Sequence, residues 1–175
     1  LPSPFQWPEP ILLKGADGRT DIHGVIFRPS DFSPEHSYPV LDLSFGFSEP
    51  VGAFNNNAQG GHDYWLSHAF AELGFVVVRF NQRGEGLRGG AGLRDTTFTR
   101  FRDSTQPFHN KADAVACIQQ LCARYPYMDK RRVGVADSVT VPSALTGLLV
   151  HPDCYSVGVS LNPISDGRLF PMNIG

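Results

Sequence analysis

The stretch RRVGVADSVTVPSALTGLL, residues 131–149, is where the reading of the fold is decided. Val133-Gly134-Val135-Ala136 is apolar enough for a buried strand, and Ser143 to Val150 reads as a helix. Between them lies a sharp turn with one serine, Ser138. A strand, a turn and a helix with a serine at the turn fits a nucleophile elbow. It fits equally a serine that caps the following helix. An elbow needs small residues two before and two after its serine, because the helix crowds the strand and the nucleophile's backbone is strained. Here those positions hold Ala136 and Thr140. Alanine is tolerable; the Cβ substituents of threonine push helix and strand apart. The Gly-x-Ser-x-Gly pattern is absent, and spacing alone favours the cap over the nucleophile.

Working outward, the chain alternates strands and helices. Ile11 to Lys14 and Ile22 to Arg28 read as short strands around Ala16-Asp17-Gly18-Arg19, whose Asp-Gly suits a hairpin turn. Pro39 to Ser44 reads as a third strand, leading into a Gly-containing loop at Phe45-Gly46. From His62 to Leu73, the positions Trp65, Leu66, Ala69, Phe70 and Leu73 follow helical spacing, with Gly74 as the stop. Phe75 to Phe80 is apolar at nearly every residue, as in a strand covered on both faces. Lys111 to Tyr125 is helical, with Val115, Ile118, Leu121 and Cys122 on one face. Tyr155 to Leu161 is a last strand. This alternation predicts an α/β fold with a mostly parallel sheet and flanking helices. Residues 1–10 hold four prolines and read as an extended lead-in.

Bulk properties exclude several function classes. The 175 residues fit one domain or a large part of one, and 41% apolar residues allow a sizeable core. A net charge of -2 without a basic cluster argues against nucleic acid as partner. No apolar run approaches the ~20 residues of a membrane span. The three cysteines Cys117, Cys122 and Cys154 make no disulfide framework and read as small buried apolar residues. Leu1 at the start, and a stop at Gly175 shortly after a core strand, read as an internal piece of a longer protein, incomplete at the C-terminal side of its fold.

Other candidate groups have structural readings. His62 and His68 lie six apart on one helix and face different ways, so they cannot chelate a metal together. His23 and His151 read as surface or capping residues, and neither metal nor cofactor is expected. Asp137 reads as a solvated or turn carboxylate. Arg79, Arg83, Arg88, Arg94, Arg100 and Arg102 spread through one strand end and its loop; they could bind a substrate carboxylate or phosphate, but solvation and pairing with Glu85, Asp95 and Asp103 is the preferred reading. Gly84, Gly86, Gly89, Gly90 and Gly92 suggest a phosphate cradle, but no Gly-Lys-Ser/Thr follows, so a P-loop is rejected.

Several stretches, in order and spacing over roughly residues 9–170, resemble the catalytic domain of the prolyl oligopeptidase family, especially its dipeptidyl-peptidase-like members. They are Lys14-Gly15-Ala16-Asp17-Gly18 with Ile22-His23-Gly24, Arg28-Pro29-Ser30-Asp31-Phe32, Tyr38-Pro39-Val40, and Ala71-Glu72-Leu73-Gly74-Phe75-Val76-Val77-Val78. Gln82-Arg83-Gly84 follows, then Asp113 with Ile118-Gln119-Gln120-Leu121, Arg124 to Asp129, Arg132 to Val135, and His151-Pro152-Asp153 before Val157 to Ser160. The resemblance implies one α/β-hydrolase catalytic domain over 1–175 and hydrolysis of peptide bonds by a serine through an acyl-enzyme. It implies Ser138 as nucleophile, the N–H of Val139 as oxyanion donor, and a second oxyanion position in the loop after the third strand. It further implies a parent with an N-terminal β-propeller and homo-oligomerisation, either periplasmic or secreted, or cytoplasmic.

The departures fall at the chemistry. Counted from Arg132-Val133-Gly134 the family's serine lands on Val139; counted back from His151-Pro152-Asp153 it lands on Ser138. A β-branched valine at a strained apex would be an outlier, so Ser138 is preferred. The family's oxyanion tyrosine corresponds to Phe45, which has no donor, and one lost donor costs about 2.7–4 kcal/mol. The fold's order is serine, acid, histidine. After Leu161 only Asp166, read as a turn residue, and no histidine remain, so the chain alone is expected to be inactive. The second reading is a non-catalytic homologue that binds a ligand or partner through the same cleft.

Overall fold

The computed structural model describes residues 7–44, 58–80, 111–138 and 143–161. Nine elements follow in chain order: β1 (Glu9–Lys14), β2 (Asp21–Phe27), β3 (Tyr38–Asp42), α1 (Ala58–Glu72), β4 (Val76–Phe80), α2 (Ala112–Arg124), β5 (Met128–Ser138), α3 (Ser143–Val150) and β6 (Val157–Leu161). The strands form one sheet in the order β1-β2-β4-β3-β5-β6. β1 and β2 are antiparallel, as are β2 and β4; from β4 to β6 every pairing is parallel. The expected α/β architecture is therefore present.

The hairpin forms for the predicted reason. Gly18 takes a φ of 67°, which a side chain disfavours, and Asp17 Oδ1 accepts from the backbone N–H groups of Arg19 and Thr20. β1 begins two residues before the predicted start, with Pro10 opposite Val25. Among the described strands β1 pairs with β2 alone, an edge position where a proline's missing donor is tolerated.

β4 is buried at all five residues. Val76, Val78 and Phe80 face one core cluster and Val77 the other, so this short strand anchors both faces. A fully buried valine contributes about 1.5–3 kcal/mol relative to exposure, which explains the unbroken apolar run. Arg79 is the exception to the sequence reading. It lies in the predicted strand but is 2% exposed there rather than solvated. The remaining arginines of that group lie outside the described residues.

Helices cover both faces. α2 and α3 contribute Ala114, Val115, Cys117, Ile118, Leu121 and Ala144 to one cluster; α1 contributes Tyr64 and Ala71 to the other. α1 sits where its period placed it, but with a different face inward. Tyr64, Ser67, His68 and Ala71 are buried, whereas Trp65 and Leu73 are exposed. One residue turns a helix by about 100°, so the phase was missed by one position. The cause is aromatic packing. The Tyr64 and His68 rings stand edge-on to Phe27, with centroids 5.8 and 5.0 Å away. His68 is thus buried, and burial pulls its imidazole below the ordinary range while Glu72 opposes this.

β5 is longer than the predicted core of Val133 to Ala136 because its amino end pairs separately. Pro39 faces Asp129, then Val40 faces Val133, so three residues of β5 bulge outward. The cysteine reading holds: all three are free, Cys117 is buried, and Cys122 and Cys154 are half-buried.

Candidate active site at the carboxyl rim of the sheet

Parallel sheets bind ligands beyond their carboxyl ends, at the point where the strand order reverses. That point is β3. The chain passes from β3 to β4 on one side, then crosses to β5 on the other. The rim at β3 and β5 is therefore the candidate site, and Ser138 is the last residue of β5. It pairs with Leu161 of β6. Val139, Thr140 and the turn to α3 lie outside the described residues, as do Phe45, Gln82-Arg83-Gly84 and Asp166.

Asp137 corrects the sequence reading. It is 3% exposed rather than solvated. Its Oδ2 accepts from the Ala144 N–H at 2.7 Å, and its Oδ1 accepts from the Ser160 hydroxyl. The carboxylate thus holds the first turn of α3, where an anion is favoured, and ties β5 to β6. Its burial is sustained by these two donors.

A second polar group was missed from the sequence. Asp42 ends β3 with no exposure at all, and Lys111, just before α2, is 3% exposed. Lys111 Nζ lies 3.1 Å from Asp42 Oδ2 and 2.5 Å from the Ser44 carbonyl. The Tyr155 hydroxyl donates to the same Asp42 oxygen at 2.7 Å, and Asp42 Oδ1 accepts from the Ser44 N–H at 2.8 Å. Ser44 Oγ in turn accepts from the Phe80 N–H at 2.8 Å. Burial, then the adjacent Asp42 carboxylate, holds the Tyr155 phenol well above its ordinary range, so it stays protonated and donates. One signal was available: an aspartate inside Val40-Leu41-Asp42-Leu43 cannot be buried without a cation or several donors. Its partners, 69 and 113 residues away, carry no local mark.

Among the described residues, no group of three or more His, Cys, Asp or Glu is placed to hold a metal ion. No described helix is long and apolar enough to cross a membrane. A cavity of about 710 Å³ opens at the other end of the sheet, beside the amino end of β5, lined in part by Cys122, Cys154, Met128 and Asp129. Burial pushes the Cys122 thiol to about 11 and the Cys154 thiol to about 12, so neither is a nucleophile at neutral pH.

No family model matches the chain. Over 159 residues, 90% of the chain, it is 27% identical to human dipeptidyl peptidase 8. A Bacteroides ovatus protein assigned as a dipeptidyl aminopeptidase IV superposes over 94% of the chain with a TM-score of 0.69 and 28% identity. The chain has an α/β-hydrolase-type fold similar to that of dipeptidyl-peptidase-like catalytic domains. Porphyromonas gingivalis dipeptidyl peptidase 4 shares the fold over 93% of the chain, with a TM-score of 0.64 and 22% identity. The chain spans 17% of the curated relative's length and 22% of each of the two structures. The resemblance read from the scattered motifs is thus an overall one, covering 90% or more of the chain.

Proposed function

We propose that the chain is part of the catalytic domain of a serine-type peptidase that hydrolyses peptide bonds through an acyl-enzyme. Ser138 Oγ attacks the scissile carbonyl carbon and gives its proton to a histidine base. The oxyanion is held by the Val139 N–H and by the loop at Phe45, whose side chain offers no donor. The amine leaves with the proton from the histidine, and water then releases the acyl group. The histidine and its acid come from sequence outside these 175 residues. The substrate class is a peptide, with proline or alanine near its N-terminus. A β-propeller partner and homo-oligomerisation belong to the same proposal.

One observation carries this reading. Ser138 ends β5 at the strand-order reversal of a sheet related to the dipeptidyl peptidases. The test is a fluorophosphonate probe applied to the full-length parent. Labelling that disappears in Ser138→Ala supports the peptidase. A folded parent that takes no label overturns it.

A non-catalytic, ligand- or partner-binding role is the second reading, and a specific observation favours it. β5 stays paired with β6 through Ser138. With Thr140 and Phe45, this suits a relaxed turn that presents no nucleophile. Under that reading the parent binds peptide without cleaving it, which calorimetry with an uncleaved peptide distinguishes.

A further inference from the structure

The proposed reaction uses none of the buried polar groups at the end of β3, yet they sit beside it. Ser44 is held by three of its atoms: its N–H by Asp42, its carbonyl by Lys111, and its hydroxyl oxygen by the Phe80 N–H. Asp42 Oδ2 takes both the Lys111 ammonium and the Tyr155 hydroxyl. Asp42 lies opposite Val135 of β5, three residues before Ser138. Tyr155 stands two residues before β6, whose Leu161 pairs with Ser138. The group thus ties the carboxyl rim of β3 to β4, to the start of α2 and to the entry of β6, on both sides of the strand that carries Ser138.

A buried ion pair adds little stability over apolar residues of similar volume. Stability alone does not account for a lysine and an aspartate in an aliphatic layer. Directed bonds supply geometry instead, because each fixes a distance and an angle that aliphatic contacts leave loose.

We infer that Lys111 is a positioning residue for the site at Ser138: its ammonium, through Asp42 and Ser44, fixes the β3 rim relative to the end of β5. This rests on the peptidase reading. Lys111 touches no reacting atom; it acts through the backbone of Ser44.

The test uses the full-length parent and a chromogenic dipeptide anilide with proline at the second position, with fluorophosphonate labelling in parallel. Lys111→Met leaves a buried carboxylate without its cation, so Asp42→Asn/Lys111→Met, which removes both charges, accompanies it. Tyr155→Phe keeps the ion pair and takes away one bond. The double variant is expected to melt cooperatively while kcat falls about 10- to 100-fold with KM little changed, the loss that a small misplacement of a reacting group gives. Tyr155→Phe shows a smaller fall in kcat, and Lys111→Arg restores part of what Lys111→Met loses. Wild-type kcat in a folded double variant or in Tyr155→Phe overturns the inference. A silent, unlabelled wild-type parent overturns the peptidase reading and this role with it. That failure is visible in the unsubstituted protein, so the two are told apart.

Discussion

The Lys111 ammonium stands 3.1 Å from the Asp42 carboxylate, with both side chains shut away from solvent. Residues 69 apart in sequence thus share one charge-neutral site at the end of a core strand. Breaking a buried pair from one side costs far more than replacing both members. Lys111→Met is expected to lower unfolding stability by about 3–5 kcal/mol. Tyr155→Phe loses one hydrogen bond to a charged acceptor, about 1.5–3 kcal/mol. In Asp42→Asn/Lys111→Met much of the Lys111→Met loss returns. Urea unfolding of the three variants measures this, and a double variant no more stable than Lys111→Met would contradict it.

Asp137 offers a sharper contrast between sequence and structure. A solvated carboxylate is removed at little cost. This one holds the Ala144 N–H and the Ser160 hydroxyl. Asp137→Ala is expected to cost about 1–3 kcal/mol, because the buried Ala144 N–H and the half-buried Ser160 hydroxyl lose their acceptor. Ser160→Ala costs less, since Ala144 keeps its partner. Equal, negligible effects in a chemical denaturation series would return Asp137 to the surface.

Gly24 is required by a close approach. A Cβ there would lie 2.6 Å from the Arg79 carbonyl and 2.8 Å from the Phe80 ring. The carbonyl belongs to the paired strand and cannot swing away. Gly24→Ala is expected to destabilise by about 1–3 kcal/mol through displacement of β2 from β4. At Gly158 the nearest atoms belong to the Leu148 side chain, which can rotate, so Gly158→Ala is milder. Thermal melts that rank the two in the opposite order would refute this.

Alkaline pH acts on the thiols. Burial, then Asp113 and Asp42, raises Cys117 from 9.0 to about 12; burial raises Cys154 from 9.0 to about 12 and Cys122 from 9.0 to about 11. The folded state therefore keeps protons that the unfolded chain releases. Their stabilising contribution is fully present below pH 9 and is lost as pH rises through 11 to 12. Native thiols should resist iodoacetamide at pH 8 and react on unfolding. Rapid alkylation of all three in the folded protein would show that they are not held as described.

Much of the fold was legible because local signals agreed with the global solution. The apolar run Val76-Val77-Val78 demanded cover on both faces, and Asp17-Gly18 demanded a tight turn. What was not legible depends on partners from elsewhere in the chain. The inward face of α1 is set by Phe27, so Tyr64 and His68 displaced the more apolar Trp65 and Leu73. The buried role of Asp42 needed Lys111 and Tyr155, whose neighbours in sequence give no hint of it. The candidate Ser138, read at the end of a strand, is the last residue of β5. Whether Ser138 is presented depends on residues 139–142, where Thr140 departs from the small residue that a sharp turn needs.

The central claim is that Ser138 is the nucleophile, and mapping a fluorophosphonate adduct on the folded full-length parent tests it most directly. The tryptic peptide Val133–Arg168 contains Ser138 together with Ser143, Ser156, Ser160 and Ser165. The account predicts one adduct, on Ser138, abolished by prior denaturation. An adduct on another serine, or none on a parent that melts cooperatively, would contradict it.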